Sequence, residues 1–107
     1  MASSREYLAF ILDQLSETEG VSSRAMMGEY VLYYRGKVFG GIYDDRFLVK
    51  CVPSAAALMP NAARDLPYSG AKEMLLVDNV EDRAFLRSLL EAMYDELPDP
   101  PKKRKRP

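Results

Sequence analysis

Few residues in this chain have chemistry to offer. There is no histidine, and Cys51 is the single cysteine. Without imidazole there is no Ser–His or Cys–His couple and no imidazole ligand for a metal. Cys51 lacks the usual base that makes a thiol a nucleophile. Placed directly after an apolar run, it reads as a small buried hydrophobe. Gly36, Gly40 and Gly41 match neither phosphate-loop spacing, and no Gly-Lys-Ser/Thr sequence occurs. Acid–base work is left to carboxylates. Asp44 and Asp45 are adjacent, with Glu29 near them if the intervening strands pair. They suit an acid pair or a hard-cation site, or, more simply, a hairpin turn, because Asp accepts left-handed backbone and bonds it locally. On that reading they are structural.

Tyr30, Tyr33, Tyr34 and Tyr43 are candidates for stacking on bases. Base-stacking sheets carry basic neighbours, and only Arg35, Lys37, Arg46 and Lys50 are at hand. Core or subunit-interface packing is the alternative use of such tyrosines. Met26, Met27, Met59, Met74 and Met93 read as core filler rather than soft-metal ligands. No cofactor is expected.

The elements that position these residues centre on 24–50. Tyr30–Tyr34, Lys37–Tyr43 and Arg46–Lys50 are rich in β-branched and aromatic residues. They are separated by Arg35-Gly36 and Asp44-Asp45, two hairpin signals in succession. Residues 22–27 form a weaker strand leading into Gly28. Period-two alternation puts Val38, Gly40 and Ile42 on one face and Phe39, Gly41 and Tyr43 on the other. The Gly40-Gly41 pair marks a bulge or a close approach, here expected from the second helix or a partner subunit. Gly28, Gly36, Gly40 and Gly41 are thus structural candidates.

Outside the centre, Leu8, Ile11, Leu12 and Leu15 recur at helical period. Ser3 or Ser4 is placed to cap that helix, Ser3 with Glu6 having capping-box spacing, and Gly20 follows its end. Ser54 is a cap for a short helix through Met59. Residues 61–72 read as a loop, and residues 74–77 as a buried strand. Asn79 or Asp78 caps a last helix whose apolar face runs from Phe85 to Leu97 before Pro98 stops it. The fold class is α+β, a single domain over residues 1–97 in the order α-β(4)-α-β-α, with helices packed on a central antiparallel sheet.

The chain has 107 residues, 48% of them apolar, enough for one domain with a core. No run approaches a membrane span, and the N-terminal stretch carries Glu6 and Asp13 instead of the pattern of a signal peptide. A lone cysteine without an export signal fits a reducing cytoplasm. Net charge is −1; Lys102, Lys103, Arg104, Lys105 and Arg106 contribute +5, leaving −6 for the remainder. That distribution gives no basic folded face for nucleic acid. It does give a Pro-, Lys- and Arg-rich tail over residues 98–107, too polar to fold and a weak candidate for polyanion binding.

MMGEYVLYYRGKVFGGIYDDRFLVK, then PYSGAKEMLLVDN and a closing amphipathic helix, resembles the N-terminal domain of the TfoX/Sxy family over about residues 3–97. Gly28 matches a Phe-Gly pair found in many relatives, and Met27 departs from it. The resemblance implies a helix, an antiparallel sheet, an inserted helix, a last strand and a final helix. It also implies a non-enzymatic regulator without catalytic residues. The named members regulate natural competence with the cyclic-AMP receptor protein, and they carry a second, C-terminal domain where this chain has its charged tail.

Three functions are therefore carried forward. The leading one is a regulatory or protein-interaction domain whose partner is a protein, a transcription regulator or a second copy forming a homodimer. The alternative is weak nucleic-acid association through the tail, and the third is a carboxylate enzyme. Deleting residues 99–107 is expected to leave the melting temperature unchanged and to abolish any non-specific DNA binding. Before deletion, that binding should show a log–log salt slope no steeper than about −5, from five phosphate contacts. Electrophoretic mobility shifts across salt concentrations check it.

Overall fold

The computed structural model describes residues 4–26, 28–67 and 70–97. Ser3, Met27, Tyr68 and residues 98–107, with the basic run Lys102–Arg106, lie outside the described residues. The element order is α1 (Arg5–Gln14), β1 (Val21–Met26), β2 (Glu29–Tyr34), β3 (Lys37–Tyr43), β4 (Arg46–Lys50), α2 (Pro53–Leu58), β5 (Arg64–Asp65), β6 (Met74–Leu76) and α3 (Arg83–Met93), closed by a 3-10 turn, Tyr94–Glu96. This is an α+β fold.

Two tight turns fix the register of the sheet. Arg35 and Gly36 both have positive φ, 52° and 85°, the mirror-image turn whose twist matches paired strands. Asp44 and Asp45 take the same path at 55° and 56°, which Asp tolerates because its short polar side chain bonds locally. Their partners are specific. The Asp44 amide donates to both oxygens of Glu29 at 3.2 Å, and the Ser4 amide donates to Asp45 Oδ1 at 2.8 Å. The turn thereby also anchors the start of α1.

All pairings are antiparallel, in the order β1-β2-β3-β4-β6-β5. Leu32 pairs with Gly40, but the next residue, Tyr33, pairs with Val38. Phe39 is thus an extra residue on β3, a bulge. The bulge corrects the simple alternation expected of β3. Phe39 and Ile42 both enter the main core, whereas strict alternation would have put them on opposite faces. Val38 turns away with Tyr33.

The close approach at the glycine pair also differs from expectation. A Cβ on Gly40 would sit 2.1 Å from the Leu48 carbonyl oxygen and 2.9 Å from Val49 Cα. The neighbouring strand β4, not a helix or a subunit, is what excludes a side chain. A Cβ on Gly41 would lie 2.5 Å from the Tyr43 ring and 2.6 Å from the Tyr30 carbonyl oxygen. The ring of Tyr43 folds back onto the strand at that point.

One face of the sheet carries Leu32, Tyr34, Phe39, Ile42, Phe47, Val49 and Leu75. These residues share a core with Ile11 of α1 and Leu15 at its C-cap, Ala55 of α2, and Leu86, Leu89, Leu90 and Met93 of α3. Phe39 and Phe47 meet edge to face, with ring centroids 6.3 Å apart and planes at 81°, an arrangement favoured by the ring quadrupoles. Burying α3's apolar stripe is what holds that helix in place.

The start of α1 agrees with the sequence reading, and the start of α3 differs from it. Ser4 caps α1, its side chain accepting from the Tyr7 amide at 3.1 Å. The cap of α3 is Asp82, accepting from the Phe85 amide, and the helix begins at Arg83. Asn79 instead accepts from the Asp82 amide in the preceding turn, so the aspartate and asparagine proposed as caps lie one turn early. The loop after α2 contains the short strand β5, and the strand expected over 74–77 ends at Leu76.

Gly40→Ala is expected to lower stability by about 2 kcal/mol or more, the scale of overpacking against backbone that cannot yield. Gly70 has nothing within 4 Å of an added Cβ but a φ of +88°, so Gly70→Ala should cost only the left-handed strain, about 1 kcal/mol. Denaturant melts of both variants separate the two causes; equal losses would refute the packing argument.

Candidate interaction surface

The second face of the sheet follows from the register. Val31, Gly41, Leu48 and Leu76 align across four strands, flanked by Tyr33 with Val38, Tyr43 with Arg46, and Lys50 with Met74. Val31, Leu48 and Met74 are buried but stand apart from the main core. Tyr33 and Tyr43 are half-buried. Arg46 donates to the Tyr43 carbonyl at 3.0 Å and pairs with Asp65 of β5, whose carboxyl is held below its ordinary range first by that arginine and then by the Leu66 amide.

A groove of about 490 Å³ opens on this side, lined by Lys50, Cys51, Met74 and Glu96, with Pro67 and Ala71 contributing the wall from the loop before β6. Cys51 is exposed, and the Arg64 guanidinium donates to its Sγ at 3.2 Å. The expected buried position is therefore corrected: β4 ends at Lys50, so Cys51 leaves the sheet and loses the shelter of its layers. Met26 is likewise no core filler; at the end of β1 it is 49% exposed.

Glu96 performs a structural task that the sequence does not announce. The N-cap of α2 is Val52, which has no capping side chain, and the helix begins with Pro53. The Ser54 amide and hydroxyl both donate to the Glu96 carboxylate, at 2.8 and 2.6 Å. Ser54, expected to be the cap, is thus the residue being capped, from 42 positions away. Those two bonds hold the Glu96 carboxyl below its ordinary range. At the same corner, Lys37 Nζ donates to the Tyr94 carbonyl at 3.1 Å and lies 4.1 Å from the Tyr94 ring centroid. A cation placed there suits the negative end of α3.

The residues singled out for chemistry do not converge. Asp44 and Asp45 are exposed in their turn, with Glu29 accepting backbone amides. Gly28 has a φ of 86° and is exposed between β1 and β2. Tyr34 is buried, meeting Tyr94 edge to face at 5.6 Å, and Tyr30 packs on the core. Among the described residues no group of three His, Cys, Asp or Glu is placed to hold a metal, and no helix is long and apolar enough to cross a membrane.

The sheet's edges are unequal. β5 has two residues, whereas β1 has six, and Ser22–Met26 are all exposed. The main-chain groups on β1 can be sorted by parity. The Arg35 amide donates to the Gly20 carbonyl at 2.8 Å, continuing the register in which Val21 faces Tyr34. Ser22, Arg24 and Met26 therefore turn their amides and carbonyls toward β2. Val21, Ser23 and Ala25 turn theirs outward.

The family model of the TfoX N-terminal domain matches residues 13–95. The chain is 36% identical, over 98% of its length and 93% of the relative's, to an uncharacterized 12.7 kDa protein in the trpE 5′ region of Spirochaeta aurantia. No solved structure matches the chain.

The Glu96 geometry fixes a pH dependence. A depressed folded pKa contributes stability that is full above the ordinary glutamate value and lost as pH falls through the folded one. Glu96→Gln should lower the melting temperature at pH 7. The gap to wild type should begin to shrink below about pH 4.3, the ordinary glutamate value, and close further into acid. A gap constant from pH 7 to pH 2 would show that the carboxylate's charge does not contribute.

Proposed function

Because the chain belongs to the TfoX N-terminal domain family, we propose that it is a non-enzymatic regulatory domain of the cytoplasm that works by binding protein. The observation carrying this reading is the disposition of its polar side chains. Glu29, Asp45 and Glu96 are occupied at turns and a helix start, while Ser22–Met26 of β1 are exposed with Tyr33 and Val38 half-buried beside them. Such an arrangement suits recognition by shape and main-chain pairing. A transcription regulator is the partner class consistent with the competence regulators that the family includes. The weaker second reading, polyanion binding through Lys102–Arg106, rests on the charge run alone.

Capture with the tagged full chain, after nuclease treatment, is expected to recover a protein partner in stoichiometric amount. Arg24→Glu with Tyr33→Ala should abolish recovery without a change in circular dichroism. Recovery that vanishes with nuclease, or with deletion of the tail alone, would overturn the reading in favour of nucleic-acid association.

A further inference from the structure

We propose that the free edge of β1 docks β1 of a second copy of this chain, antiparallel, about a two-fold axis through Ser23. This deepens the protein-binding reading above and rests on it, naming the chain itself as one partner.

Main-chain geometry restricts the register. Only Val21, Ser23 and Ala25 point amides and carbonyls away from β2, so hydrogen-bonded pairs across the new interface must join these residues to one another. Centring on Ser23 sets Ser23 against Ser23, and Val21 and Ala25 against each other, so that all three outward residues are used in both copies. Shifting the axis to Ser22 or to Arg24 leaves one of the three unpaired.

Side chains agree with this register. With Ser23 on the axis, Arg24 of one copy faces Ser22 of the other. An axis through Arg24 would set like charges directly opposite, which is destabilising. Residues 21–26 contain no proline and no acid, and the residues nearest the axis are serines, so nothing bulky holds the backbones apart. Met26, half exposed at the strand's end, comes opposite Gly20, which has no side chain to obstruct it. A six-residue edge strand with alternate main-chain groups turned away from the sheet is the kind that native proteins ordinarily cover. The contact is narrow, so the association belongs to the weak class of interfaces.

Proline is tolerated on an edge strand where its missing amide would have faced solvent. Ser23→Pro should therefore keep a melting temperature close to wild type, whereas Ser22→Pro, which removes an amide used by β2, should lower it markedly. In sedimentation of the full chain from micromolar to millimolar concentration, wild type should rise from 12.1 kDa toward twice that mass, and Ser23→Pro should not. A hydrogen-bonded antiparallel pair has Cα atoms about 5.5 Å apart, within disulfide range. In a Cys51→Ser background, Ser23→Cys should then oxidise to a covalent dimer and Ser22→Cys should not. If Ser23→Pro fails to fold, the two cysteine variants decide. A wild-type monomer throughout, association of Ser23→Pro equal to wild type, or cross-linking through Ser22 instead would each overturn the proposal. A monomer that still captures another protein overturns the second copy as occupant and spares the interaction reading. A dimer that captures nothing else does the reverse.

Discussion

The Leu48 carbonyl oxygen lies where a side chain on Gly40 would begin, 2.1 Å from an added Cβ. Strands β3 and β4 come together at that point on backbone alone. One step away, the bulge at Phe39 reverses the facing of β3, so that Phe39 and Ile42 both enter the core while Val38 leaves it. Phe39 then meets Phe47 of β4 edge to face. The centre of the core thus depends on a glycine without a Cβ and a bulge without a partner, side by side on one strand. A larger residue at position 40 would push β4 outward and take Phe47 and Val49 with it.

The helices are fastened at their ends by side chains from distant parts of the chain. Ser54 at the start of α2 is capped by Glu96, and the end of α3 is met by Lys37. Arg83 at the start of α3 bonds Asp13 at 2.8 Å and Ser16 at 3.2 Å beside the end of α1. Gln14 donates to the Val80 carbonyl at 2.9 Å in the same region. The Glu96 and Lys37 contacts satisfy backbone groups that a helix end leaves orphaned, while the Arg83 and Gln14 contacts join the end of α1 to the start of α3 through side chains. Individually, exposed ion pairs contribute little. Their effect is orientational, since they fix which end of α3 meets which end of the sheet.

The hairpins were legible because their signals are local. Gly36 and the Asp44-Asp45 pair mark turns between strands whose residue types alternate correctly, and the bounds of β3 and β4 follow. What was illegible depended on distance. Nothing near Ser54 reveals that its partner is Glu96. Arg64 and Asp65 form a strand because they pair with Leu75 and Met74 of β6, a register that the Leu76 amide extends to the Ala63 carbonyl at 2.9 Å; as residue types they argue for a loop. Phe39 looked like a partner of Gly41 and Tyr43, because a bulge changes side-chain parity without changing composition. Cys51 failed for a related reason. Its position one residue after β4 decides its exposure, and strand ends are where sequence patterns lose definition. At the surface, residue types announced the tyrosines, but which of them are buried was settled by register: Tyr34 on the core side, Tyr33 on the other.

The unequal edges carry a consequence for assembly. β5 is blunted in several ways at once, being two residues long, bearing Arg64 and Asp65, and tied down by Arg46; Pro67 follows two residues later. Such features are how sheets avoid unwanted pairing. β1 is guarded less, being six residues long with no proline and with Arg24 as its one charged residue. A sheet with one open and one blunted edge has a closed solution. A two-fold contact consumes the open edge of both copies and leaves only blunted edges outward, so growth stops at two. Two open edges would instead have allowed head-to-tail addition without end. In the proposed dimer, the asymmetry between β1 and β5 would be what limits assembly to two copies, and it resides in main-chain geometry that no catalytic motif would disclose.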